Sequence, residues 1–368
     1  MIDFSGFTDT PDQADLRAVL RDFLETHATS AKVRQAIASP AGYDEASWKR
    51  LTGELGLTAL AVPEDLGGAG ATLAEVAVAV QEIGRVLLPV PYLSTALAAA
   101  LLTEASGPAA EQFLPGLIDG TLIGALAFGP GVVTFGDGQL SGTVRNVLDG
   151  QLADVFLVRV GGMLVAVRAA DAEVAPVGTL DQTRGQATLS FRAAPALRVS
   201  PEGDGGEFAD RAEDLVRAFL AAESAAAAVR CLNLTVEYLK TRVQFGRPIG
   251  EFQALKHRCA DLAVAAESAW MTAHAAIQAA VSDPGEFTVA APLAKRYCAD
   301  AFFTVAAETI QLHGGIGFTW EHDAHLYVKR AKSTQLLHGT PSDLRHEIAR
   351  RAALLGLCWR LAPLPRWI

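Results

Sequence analysis

Cysteine is scarce: four residues in 368, Cys231, Cys259, Cys298 and Cys358, with no C-x-x-C pair among them. That spacing argues against a redox dithiol or a zinc knuckle and leaves the thiols as expected core residues. Long apolar runs are missing too. The alanine-rich stretch at 218–229 carries Glu223 and ends at Arg230, short of the roughly 20 residues that cross a bilayer, so no membrane span is expected. There is no basic stripe: 31 Lys plus Arg stand against 41 Asp plus Glu, a net charge of −10, and nucleic acid is not an expected partner. The opening residues, Met-Ile-Asp-Phe-Ser-Gly-Phe, lack the cationic start and apolar core of a secretory signal, so a cytoplasmic protein is expected. Repeats, low-complexity tails and heptad arrays are also absent. What the chain does have is apolar residues, half of the total, enough for a large buried core in two or three layers.

From Pro11 to about Gly120 apolar positions recur at three and four, and Leu16, Val19, Leu20 and Phe23 predict an amphipathic first helix. The segment 61–72, A-V-P-E-D-L-G-G-A-G-A-T, breaks the period before a helix resumes at 73–86; such a loop either caps that helix or offers its backbone to a ligand. From Leu122 onward, short β-prone runs at 123–128, 155–160, 163–167 and 187–191 predict an antiparallel β domain. Gly161-Gly162 suits a two-residue hairpin between the second and third runs. After the polar stretch 202–206 the pattern is helical at 208–241, 252–282, 286–313, 325–337 and 341–355, lengths that pack as a bundle. The expected fold class is therefore α+β and multidomain: an N-terminal helical domain (1–120), a middle antiparallel β domain (121–205) and a C-terminal four-helix bundle (206–368).

Two loops between bundle helices carry chemistry. In 241–253, T-R-V-Q-F-G-R-P-I-G-E-F-Q, Arg242 offers a fixed cation and fork donors, Phe245 a flat apolar face, and Gln253 an amide beyond the turn. The set suits a dinucleotide, and it also reads as a plain helix–helix turn. In 311–320, Q-L-H-G-G-I-G-F-T-W, Gly314, Gly315 and Gly317 let backbone N–H groups face a pyrophosphate beside the Gln311 amide, whereas a simple C-cap needs one glycine. Phe318 and Trp320 fit core packing or contact with a ring system equally well. Glu321, His322, Asp323 and His325 have the composition of a metal set, but acids and histidines at a helix start ordinarily face water, and no metal is expected. Asp323, Lys329, Arg330 and Lys332 read as pairs along a helix or at an interface.

The strings TRVQFGRPIGEFQALKHRCADL and AKRYCADAFFTVAAETIQLHGGIGFTWEHDAHLYVKRA resemble the carboxyl-terminal half of acyl-CoA dehydrogenases, and AVPEDLGGAGATLAEVAVAVQEIGRV is similar to that family's opening domain. The β domain matches weakly. The resemblance implies the acyl-CoA dehydrogenase fold, FAD as cofactor, an acyl-CoA substrate desaturated between its α and β carbons, and an electron-transfer flavoprotein or similar acceptor. In the family, R-x-x-F-G, the glutamine after the next turn and Q-x-x-G-G-x-G reach across a subunit boundary to the ADP half of a neighbour's FAD. Carried over, this implicates Arg242, Phe245, Gln253, Gln311, Gly314 and Gly315, and an oligomer.

The sequence departs from the family in two places. The family's base is a glutamate directly before Gly-Thr; here His338 precedes Gly339 and Thr340, which keep the cofactor-side part of the motif. The base position that a minority of the family uses, early in the first long bundle helix, falls on Val216. Glu223, two turns further along nearly the same face, sits in an apolar run where burial would raise its pKa and make it a base, unless an arginine of another helix pairs with it. His338 is the other candidate, since neutral imidazole titrates near physiological pH, and a structural or substrate-shaping histidine is the alternative. In the β domain the family's T-E-P-x-x-G-S-D reads Ala125-Leu-Ala-Phe-Gly-Pro-Gly-Val-Val133, without the hydroxyls that meet the flavin ring. A chain with these losses resembles one partner of an actinobacterial heteromeric α2β2 dehydrogenase. Three readings stay open: a homo- or hetero-oligomeric enzyme, a non-catalytic partner subunit completing another chain's FAD site, and an oxygen-using flavoprotein of the same fold.

Overall fold

The computed structural model describes residues 2–105 and 107–354; Cys358 and the last residue of the helix expected at 341–355 lie outside the described residues. Among the described residues the N-terminal region holds six α-helices: α1 (Pro11–His27), α2 (Ser30–Ala38), α3 (Glu45–Gly53), α4 (Leu73–Arg85), α5 (Tyr92–Ala105) and α6 (Pro108–Ile118). Thr10 starts α1 with a reciprocal capping box to Gln13, and a proline fills the first helical position. The buried face of α1 is Gln13, Arg17, Leu20 and Leu24, and Val19 is 52 % exposed, so the stripe is rotated from the one expected. The cause is polar: Arg17 is drawn inward by Asp9 at 2.6 Å and by the buried Glu82 at 2.9 Å.

The glycine-rich segment 61–72 folds back on itself and delivers Thr72 to the start of α4, where its hydroxyl and Glu75 form another capping box. Gly68 is required there, because a Cβ would lie 2.0 Å from the Val62 carbonyl oxygen. That loop caps a helix.

The middle region is a seven-stranded sheet of β1 (Gly124–Ala127), β2 (Gly131–Gly136), β3 (Gln139–Leu148), β4 (Val155–Val160), β5 (Met163–Arg168), β6 (Ala172–Val177) and β7 (Gln186–Arg198). The order is β1-β4-β5-β7-β3-β2, with β6 also on β7. The β4–β5 hairpin closes with Val160 opposite Met163, and of the two turn glycines Gly161 takes the positive φ of 59°. All pairings are antiparallel except β1 with β4, which is parallel. Strands β2 and β6 escape a hydrophobicity search because their faces are largely exposed, and β3 because its buried residues, Leu140, Val144, Val147 and Leu148, are separated by polar and glycine positions.

The bundle is α7 (Glu207–Thr241), a two-residue-strand hairpin of β8 (Val243–Gln244) and β9 (Arg247–Pro248), α8 (Gln253–Ser282), α9 (Pro284–His313), α10 (Ala324–Leu336) and α11 (Pro341–Leu354). Helices α7, α8 and α9 pack pairwise, α10 closes on α9 and α7 as the fourth member, and α11 lies on α9. The centre of α7 is buried all round, with Ala221, Ala222 and Ala225–Ala228 nearly sealed. Such small side chains let neighbouring backbones come close. α4 uses that room: a Cβ on Gly84 would lie 2.2 Å from the Glu223 Cγ. One continuous apolar core runs from α1 and α4 through the sheet into the bundle. No helix among the described residues is long and apolar enough to cross a membrane.

Candidate functional site

The residues singled out in the sequence fall into three places. At the far end of α7, Tyr238 stacks on His313 in the last turn of α9, ring centroids 4.4 Å apart and planes 25° from parallel. This contact sets the 242–253 turn beside the 311–320 turn. Between β8 and β9, Phe245 and Gly246 take φ of 55° and 76°, the geometry of a tight hairpin. The turn is tied down by the Ile249 N–H donating to the Arg242 carbonyl at 2.8 Å. Arg242, Phe245, Gln253, Gln311, Gly314 and Gly315 are all exposed, Phe245 at 91 %, and Phe318 nearby at 82 %. Nothing would meet a Cβ at Gly314 or Gly315, so their backbone faces open space.

At the opposite end of α7, a cleft of about 590 Å³ lies between the turn after β1, β4, the start of α7 and the junction of α10 with α11. His338, Gly339 and Thr340 line it with Phe128, Glu213 and Arg217. His338 has φ of 56° and Gly339 of 107°. His338 Nδ1 lies 2.9 Å from Glu213 Oε1, and the His338 carbonyl accepts from Arg217 Nε at 3.1 Å. The Thr340 hydroxyl donates to Asp343 at 2.7 Å and accepts from its N–H at 3.3 Å, so it caps α11. Burial opposes ionisation of Glu213, but His338, Arg217 and Arg159 hold its carboxyl below the usual range. Asp214 next to it goes the other way: burial pushes it up to about 6 despite Arg351 and Arg217.

Glu223 is in neither place. It lies mid-helix, 7 % exposed, with Oε1 2.7 Å from Arg330 Nη1 and Oε2 against Arg184. Arg330 also reaches Asp181 at 2.7 Å, and Arg184 donates to the Thr334 hydroxyl at 3.0 Å. Burial pushes Asp149, bonded to Ser94 at 2.7 Å, up to about 6, against the Ser94 bond and the charges of Arg184 and Arg330. The cluster fastens α5, the loop before β7, α7 and α10 together. Arg330, expected to pair along its own helix or line an interface, is 3 % exposed and pairs with Asp181 and Glu223 of other elements. Asp323 pairs instead with Arg34 at 2.6 Å and Ser30 at 2.7 Å.

Glu213 and Arg217 escaped the sequence reading because an acid and a base at i and i+4 near a helix start look like a solvated pair. The available signal was their position, one turn before and one residue after Val216.

The family models for the acyl-CoA dehydrogenase N-terminal domain and C-terminal domain match residues 10–121 and 203–353. The acyl-CoA dehydrogenase IpdE2 of Mycobacterium tuberculosis is 44 % identical over 90 % of this chain and 94 % of its own length. FadE34, an acyl-CoA dehydrogenase of the same organism, is 36 % identical over 88 % of this chain, which spans 45 % of FadE34. Among solved structures, the ChsE4-ChsE5 complex of Mycobacterium tuberculosis superposes with a TM-score of 0.85 at 28 % identity, over 94 % of this chain and 98 % of the matched one. The chain belongs to the acyl-CoA dehydrogenase family, FAD-dependent oxidoreductases that act on the CH–CH bond of acyl-CoA thioesters.

Proposed function

We propose that this chain is one subunit of a hetero-oligomeric acyl-CoA dehydrogenase and serves two flavin sites with its two ends. The turns bearing Arg242, Phe245, Gln253, Gln311, Gly314 and Gly315 grip the ADP end of an FAD lodged against a neighbouring subunit. The cleft at His338, Gly339 and Thr340 receives the acyl-CoA thioester. One observation carries the reading: the two groups stand at opposite ends of α7, about eight helical turns or roughly 40 Å apart, more than one flavin dinucleotide spans. A single chain cannot close both around one cofactor.

The residues present fit the group. Open glycine backbone and an exposed arginine suit a diphosphate, and Phe245 and Phe318 are large apolar faces left in the open, as expected of surfaces that a neighbour covers. When bound, FAD supplies the hydride acceptor. The chain's own part is to hold the thioester in a cleft walled by Phe128 and to keep a proton acceptor beside it. Glu223 is a poor acceptor, since both its oxygens face arginines. We assign His338 the role.

An unlike partner is favoured by β1, where Ala125, Leu126 and Ala127 are buried in the sheet and offer no hydroxyl to a flavin ring. FadE34, more than twice the matched length, has room for a second such unit in one chain. The same β1 observation supports a second reading, a non-catalytic partner that only completes the FAD site of the other chain. The three domains, 1–120, 121–205 and 206–368, meet at the buried charge cluster, and the complex works in the cytoplasm with an electron-transfer flavoprotein or similar acceptor.

Co-expression with a second acyl-CoA dehydrogenase-like chain, followed by a flavin count per chain, tests the proposal. A yellow complex that an acyl-CoA reduces is expected, with little flavin on this chain alone. Full flavin occupancy on the isolated monomer would refute the shared site.

A further inference from the structure

The proton acceptor is built from two residues. We propose that Glu213 and His338 form a proton-transferring pair, His338 Nε2 taking the substrate's α-proton and Glu213 positioning the imidazole; this rests on the acyl-CoA cleft proposed above. The carboxylate 2.9 Å from Nδ1 accepts that N–H and fixes the tautomer with the lone pair on Nε2. Nε2 has no hydrogen-bond partner among the described residues, and the imidazole stands on the cleft wall with its side chain 7 % exposed. Arg159 at 3.8 Å and Arg217 at 4.0 Å flank Glu213 and favour its charged form.

The backbone gives an independent sign. A histidine at φ of 56° is sparsely populated and strained, and it is followed by Gly339 at 107°. Arg217 Nε pins the His338 carbonyl in that conformation. A left-handed residue there turns the imidazole towards Glu213, so the strain is spent on aiming a side chain.

In the reaction the Nε2 lone pair becomes an N–H bond with the α-proton. FAD, when bound, would supply the acceptor for the β-carbon's hydride, and the α C–H electron pair would then enter the new double bond. Glu213 stabilises the imidazolium that results, and solvent takes the proton once the enoyl-CoA has left.

The test uses the assembled complex and an acyl-CoA that reduces the wild-type flavin. Exchange of the α-proton in heavy water is followed by NMR, and bound flavin by absorbance. His338→Gly, which relaxes the backbone, should slow exchange by about 100-fold or more and recover when free imidazole is added. Glu213→Gln keeps the shape but not the charge; it should lower kcat by about tenfold with KM little changed, and Glu213→Asp should restore part of the loss. Wild-type exchange in His338→Gly, or unchanged kcat in Glu213→Gln, overturns the pair. Retained exchange in His338→Gly with none in Glu213→Gln would make the carboxylate the base and overturn the assignment equally. A complex that binds no flavin or that no acyl-CoA reduces fails at the earlier step, the proposed function itself.

Discussion

Tyr238 lies stacked on His313, 4.4 Å between ring centroids, and through that contact the end of α7 and the end of α9 present their turns side by side. The imidazole is fixed from both directions. Its Nδ1 is 2.7 Å from the Thr309 carbonyl, and its other neighbour is His322, 4.3 Å away between centroids. The geometry of the exposed turn residues therefore depends on an aromatic stack centred on the buried His313.

Arg242→Ala should weaken FAD binding to the complex by roughly 10- to 100-fold, the usual loss for one hydrogen bond to a charged group. Because Arg242 is exposed, the melting temperature of the chain without flavin should hardly move. Tyr238→Ala should weaken FAD binding although Arg242 is intact. Titration of flavin-stripped complex reads both, and undiminished affinity in both variants would remove the turns from the cofactor site.

Glu223→Gln separates structure from chemistry at that position. Removing one charge from a buried set with Arg184 and Arg330 leaves an uncompensated guanidinium and should cost about 3–5 kcal/mol. Urea unfolding measures it. A variant as stable as wild type that no longer removes the α-proton would restore Glu223 as the base.

Apolar patterning read together with turn signals was a good guide to the long helices, because α7, α8 and α9 each run 30 residues or more between turns. It failed where polar groups decide burial. Arg17 enters the core with Glu82, and Arg330 enters with Glu223 and Asp181, so in both cases a charge that reads as surface is neutralised by a partner far away in sequence. The turn around Phe245-Gly246 was legible from its glycines, though not its strands β8 and β9, and the Glu213–His338 contact was not legible, since it joins the start of α7 to the segment after α10. The resemblance pointed to His338 by its place before Gly339-Thr340, and only the fold could supply its neighbour.

Gly84→Ala probes the closest approach in the core. The added methyl would lie 2.2 Å from the Glu223 Cγ, whose carboxylate cannot swing aside without leaving its arginines. Overpacking of this kind costs typically 1–3 kcal/mol. A thermal melt of Gly84→Ala at wild-type stability would show that α4 can slide on α7.

Lys295 lends the fold a pH dependence that can be worked out. The residue is 1 % exposed, and its ammonium donates to the Thr334 carbonyl at 2.7 Å, one of the carbonyls in the last turn of α10. Burial, with the cations of Arg217 and Arg184 nearby, presses it from the ordinary 10.5 down to about 7. Between those values the unfolded chain holds a proton that the folded chain has released, so stability attributable to this group rises with pH from about 7 to 10.5. One unit is worth about 1.4 kcal/mol, so moving from roughly pH 7 to pH 9 should favour wild type over Lys295→Met by about 2–3 kcal/mol in the change of unfolding free energy. Parallel pH profiles for the two proteins would mean that Lys295 keeps its proton in the fold, held by the Thr334 carbonyl despite the two arginines.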